Sequence, residues 1–195
     1  MKMRDDSIST PPRMWLWAVA ILVSLPIGGY IADLIVDGVD STGAALAGGL
    51  IVGAVIGGAE WFALRHRVSW LWVPATIVGM AIGLVAGAAI VDYGIDRGDL
   101  VVMGALNGLA VGVMQGLVLA RHRVPRAWWW VVANPPAWAL GWFVSSYVIS
   151  RNIGERFPIF GASGALVFGL LTMVLLVMLF RAAPGGRKTA ARVAA

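Results

Sequence analysis

Six apolar runs, each near the roughly 20 residues that cross a bilayer as a helix, alternate with short polar breaks along almost the whole chain. The pattern predicts helices over 14–35, from a Ser41-Thr42 cap to 64, and over 70–91, 100–120, 128–149 and 160–180. Pro26, with Gly28 and Gly29 behind it, predicts a kink in the first span, made either to fit a neighbour or to open a small cavity. Pro74 falls in a first turn, where proline is tolerated, whereas Asn134-Pro135-Pro136 is expected to break the fifth helix.

The polar breaks differ in sign. Asp33, Asp37 and Asp40 mark the exit of the first run and Asp92, Asp96 and Asp99 that of the third, while Arg65-His66-Arg67, Arg121-His122-Arg123 with Arg126, and Arg181 follow the second, fourth and sixth. Lys2, Arg4, Arg13, Arg187, Lys188 and Arg192 join the basic group, and only Arg97, Arg151 and Arg156 lie on the acidic side. Under the positive-inside rule this segregation places both termini in the cytoplasm of a cell with an inner-membrane-type bilayer.

Inside the runs, glycine recurs every fourth residue, which puts Gly49, Gly53 and Gly57 on one helix face and Gly104, Gly108 and Gly112 on another. Lipid tails supply no hydrophobic drive between helices, so glycines that let backbones approach are expected to be packing faces, as are Gly161 and Gly169. A glycine-lined substrate groove is the alternative.

The runs also repeat. Trp15 and Trp70, Trp17 and Trp72, Asp37 and Asp92, Gly53 and Gly108, and Glu60 and Gln115 are all 55 residues apart. A looser third copy follows, with Trp72 and Trp130 separated by 58 and Gly112 and Gly169 by 57. The expected organisation is an all-α integral membrane protein of three two-helix hairpins, 14–67, 68–123 and 124–181, between an arm at 1–13 and a basic tail at 182–195.

Composition narrows the function classes. The 195 residues are 59% hydrophobic and 13% charged, with a mean hydropathy of +0.83, and six spans leave no room for a soluble catalytic domain. No cysteine is present, which excludes disulfides and thiolate chemistry. The net charge of +5 sits at the ends of apolar runs rather than on a polar face, so no nucleic-acid partner is expected. No phosphate loop, metalloprotease helix or nucleophile elbow is present, and no enzyme activity, cofactor or metal is expected.

Glu60 is the sharpest candidate, being the one acid inside a run apart from those at the acidic exits, and the repeat puts Gln115 and Thr172 at its level. Intramembrane acids mark ion or proton paths, so the three residues form a candidate polar ring near a pseudo-threefold axis. In the alternative reading Glu60 snorkels to the headgroups or pairs with an arginine, while Gln115 and Thr172 hydrogen-bond between helices. Asn107 is expected to be another interhelical hydrogen-bonding residue. His66 and His122 make a poor metal site without a third ligand. Together with Arg13, Arg65, Arg67, Arg121, Arg123, Arg126 and Arg181, they suit anionic lipid headgroups instead. The tryptophans that open the odd runs are expected to form an interfacial belt, and the deeper Trp138 and Trp142 are candidate pocket-lining residues.

The segment Glu60-Trp61-Phe62-Ala63-Leu64-Arg65, preceded by Gly53 and Gly57 and followed by Trp70-Leu71-Trp72, resembles a hairpin signature of bacterial multi-pass membrane proteins that usually carry Gln before the Trp. No activity is assigned to that group, and the resemblance implies architecture only. The leading expectation is therefore a non-enzymatic membrane component that packs with itself, a partner or lipid. The alternatives are a small-solute or ion transporter using Glu60, and a lipid-modifying enzyme if Asp33, Asp37, Asp92 and Asp96 converge on one pocket.

Overall fold

The computed structural model describes residues 14–147 and 162–182. Six α-helices fill them: α1 Trp15–Val36, α2 Thr42–Leu64, α3 Trp72–Ile90, α4 Arg97–Arg121, α5 Trp128–Ser146 and α6 Ala162–Ala182. No strand occurs among the described residues. All but α5 are long and apolar enough to cross a membrane, which makes this a multi-pass helical membrane protein. α5 matches α3 in length at 19 residues, but its three leading tryptophans, Asn134, two prolines and two serines lower its hydropathy. The arm at 1–13 with Arg13, the position of Gly161 and the tail beyond Ala182 lie outside the described residues.

Local chemistry sets the helix ends. Ser41 Oγ accepts from the Ala44 amide at 3.2 Å and starts α2. Asp37 closes α1 in the left-handed region at φ 54°, with its amide donating to Asp33 O. α4 begins at Arg97 rather than near Leu100, because Asp99 Oδ2 accepts from the Asp96 amide at 3.1 Å and favours an earlier first turn.

The expected break at Asn134-Pro135-Pro136 does not occur. α1 runs unbroken through Pro26 and α5 through Pro135 and Pro136. In a membrane helix no water competes for the backbone, so helix persists around a proline wherever neighbours accommodate it. Beside the α5 prolines, the Asn134 amide nitrogen donates to Trp130 O at 2.8 Å, and Gly108 and Gly112 of α4 leave room for that stretch of backbone.

The backbone of each helix packs against those of its neighbours in the chain, and α6 closes on α1, giving a ring of six in which, among the described residues, no other pair of helix backbones comes close. Glycines line these contacts. A Cβ on Gly49 or Gly53 would lie 2.7 Å from the Cα of Ala81 or Ile77 on α3, and one on Gly57 would lie 2.9 Å from Thr76 Cβ. Gly79 and Gly83 stand equally close to Val111 and Asn107 on α4. Gly104, Gly108 and Gly112 face Trp138, Asn134 and Pro135 on α5, and Gly169 meets Ile21 on α1. A side chain at most of these sites would hold two backbones apart.

Candidate functional site

Successive turns of the helices divide the ring's interior into layers. At the level of Trp17, Trp72 and Trp130, three indoles from the odd helices meet with centroids 5.9–6.1 Å apart, the Trp17 pairs being edge-to-face. All three are fully buried. Each indole N–H donates to the even helix next to it. Trp72 Nε1 reaches Glu60 Oε2 at 2.9 Å, Trp130 Nε1 reaches Gln115 Oε1 at 3.0 Å, and Trp17 Nε1 reaches Thr172 Oγ1 at 2.9 Å.

A bridge joins two of these pairs. Gln115 Nε2 donates to Glu60 Oε2 at 2.7 Å and lies 2.8 Å from Thr76 Oγ1, which is itself 3.2 Å from the same carboxyl oxygen. Glu60 is thus held by α3 and α4, and Thr172 additionally donates to Phe168 O at 2.7 Å. Ring contacts and hydrogen bonds bury Glu60, Gln115 and Thr172 alike, and a small cavity of about 300 Å³ between α5 and α6 touches this layer at Thr172. Glu60 is 1% exposed, so the expected snorkelling or arginine pairing gives way to contacts with Trp72, Thr76 and Gln115. The physical reason is that indole, hydroxyl and amide donors already surround the carboxyl inside the ring.

The belt expectation is corrected in the same way. Trp15, Trp70, Trp128 and Trp129 are 44–66% exposed, whereas Trp17, Trp72 and Trp130 point inward. Residues two apart on a helix lie about 200° apart, so each W-x-W pair faces opposite sides. Asn107 departs from expectation too. It is fully buried, with no hydrogen-bond partner for Oδ1 or Nδ2, and it lies against α3 where Gly83 has no side chain.

Above a layer of buried Ile21, Ile56 and Val111, the interior opens into a cavity of about 720 Å³. The next one or two turns of the helices supply its wall: Leu25 and Gly29 on α1, Gly48 and Val52 on α2, Met80 and Leu84 on α3, Met103 on α4, Trp138 and Trp142 on α5, and Phe168 on α6. Its rim is the acidic end, with Asp33 in the last turn of α1, Asp37 and Gly38 just after it, and Tyr93, Gly94 and Ile95 after α3. Asp92 and Asp96 are exposed and do not line it, so the four acids do not converge. Gly28 fits against Val52 and Val55 while Gly29 lines the cavity.

At the opposite end, Arg65, Arg67, Arg121, Arg123, Arg126 and Arg181 are exposed. The Ser69 amide donates to His122 Nε2 at 2.9 Å, which fastens the α2–α3 loop to the end of α4. Among the described residues no group of three or more His, Cys, Asp or Glu side chains is placed to hold a metal.

The sequence did not single out Thr76, nor the donor role of the three buried tryptophans. Their signal was the repeat itself, since Trp17, Trp72 and Trp130 recur at nearly the spacing of Glu60, Gln115 and Thr172. The chain matches no protein-family profile, no curated protein and no solved structure.

Proposed function

We propose that the protein is a non-enzymatic component of the cell membrane, built from three hairpins, that binds a small apolar molecule in a chamber sealed toward the cytoplasm. The observation that carries this reading is the stacking of a roughly 720 Å³ chamber on a buried tryptophan and polar layer within one ring. A chamber of this size is typical for a drug-sized ligand, and its lining of methionine, leucine and aromatic side chains suits an apolar one. The segregated charges support a cytoplasmic position for the basic end and both termini. Three indole-to-polar pairs around the ring support the hairpin repeat.

Triphenylphosphine oxide, a neutral aromatic probe, should bind the purified protein in zwitterionic nanodiscs. Gly48→Phe should abolish that binding: a Cβ there meets only Leu84 Cδ2, at 3.6 Å, so the ring can enter the chamber. Ion and solute flux through proteoliposomes should not exceed that of protein-free vesicles. Equal probe binding by wild type and Gly48→Phe would contradict the chamber, and saturable flux altered by Glu60→Gln would contradict the seal.

A further inference from the structure

We propose that the chamber's ligand is a lipophilic cation, an apolar body carrying an amine, quaternary ammonium or comparable positive group. The inference rests on the binding reading above and adds the charge of what is bound. Asp33 and Asp37 stand one helical turn apart at the rim, and both line the chamber. They end α1, whose C-terminus contributes a partial negative charge in the same place. Neither has an ion-pair partner among the described residues. Below them the wall is largely apolar, and Tyr93 and Trp142, whose rings are of the kind that attracts cations, are among the lining residues.

A second, independent feature lies deeper. Trp138 is 2% exposed and lines the chamber, yet its indole N–H has no hydrogen-bond partner. Buried indole donors are normally satisfied, as those of Trp17, Trp72 and Trp130 are. An acceptor on the body of a ligand would satisfy this one. The chamber thus presents a deep donor, an apolar wall and a negative mouth, and a cationic amphiphile matches that order. An anionic lipid headgroup would meet two carboxyl groups at the entrance and be repelled.

The test compares methyltriphenylphosphonium with its near-isosteric neutral counterpart, triphenylphosphine oxide, by equilibrium dialysis against the full chain in zwitterionic nanodiscs, with empty nanodiscs subtracted. Asp33→Asn/Asp37→Asn should weaken phosphonium binding by about tenfold and leave the oxide unchanged. Retained oxide binding also shows that the variant is folded. Asp37→Asn alone is the milder second variant, because asparagine tolerates the left-handed backbone at that position. Wild type that binds the oxide but loses no phosphonium affinity on these substitutions would overturn the charge assignment and leave the chamber standing. Binding of neither probe would remove the chamber itself, and the cation with it.

Discussion

A carboxyl group inside a helical membrane bundle is costly unless donors surround it, and Glu60 has three: Trp72 Nε1, Thr76 Oγ1 and Gln115 Nε2. Its removal should therefore hurt more than its neutralisation. Glu60→Ala leaves those donors unsatisfied and opens a void, and is expected to cost about 3 kcal/mol or more in a detergent unfolding titration. Glu60→Gln keeps an acceptor oxygen of the same reach and should cost about 1 kcal/mol or less. Equal losses would show that the carboxyl is not held as described. Trp138→Phe should weaken triphenylphosphine oxide, which carries an acceptor, more than methyltriphenylphosphonium, which has none. At this scale the sequence was half legible. The 55-residue offset put Glu60 and Gln115 at one level, and the looser third copy added Thr172. The apolar context hid which way each tryptophan faced, because Trp15 and Trp17 look alike as letters and differ only by helical phase.

At the scale of elements, the glycine spacing and its consequence were legible together. Most of the stripe glycines stand where a Cβ would collide with the neighbouring helix, and Gly108 is the clearest, since its Cβ would lie 2.6 Å from Asn134 O and 2.8 Å from Pro135 Cα. Gly108→Leu should separate α4 from α5 and abolish a cooperative thermal transition. Gly58, whose Cβ would meet nothing within 4 Å, is the matched control, and Gly58→Ala should shift stability by no more than about 1 kcal/mol in the stabilising direction. Comparable effects at both positions would mean that the stripe is not a packing face. The continuous α5 was illegible. Proline rules drawn from water overstate its power to break a membrane helix, because local propensity does not register the room left by Gly108 and Gly112.

At the scale of the molecule, six helices, five of them long and apolar enough to cross a membrane, were legible in the sequence together with the alternating charge, but closure of α6 on α1 was not, since it depends on contacts between the two ends of the chain. Nor was the chamber, which lies two to three turns beyond Trp17, Trp72 and Trp130 along the odd helices and depends on how side chains from all six helices meet. Topology has a clean test, because the chain contains no cysteine to contribute background labelling. A cysteine placed at Gly38 should react with a membrane-impermeant maleimide added outside intact cells, and one placed at His66 should react only after lysis. The reverse pattern would invert the proposed orientation.

The most direct measurement of the central claim, a chamber above a seal, uses the same reagent at two depths in vesicles of known orientation. A cysteine at Gly48, in the chamber wall, should be labelled from the acidic side and protected by triphenylphosphine oxide. A cysteine at Gln115, in the tryptophan layer and away from both cavities, should be labelled from neither side while the protein is folded. Labelling at 115 from either face, or no labelling of 48 from either, would contradict a chamber above a seal.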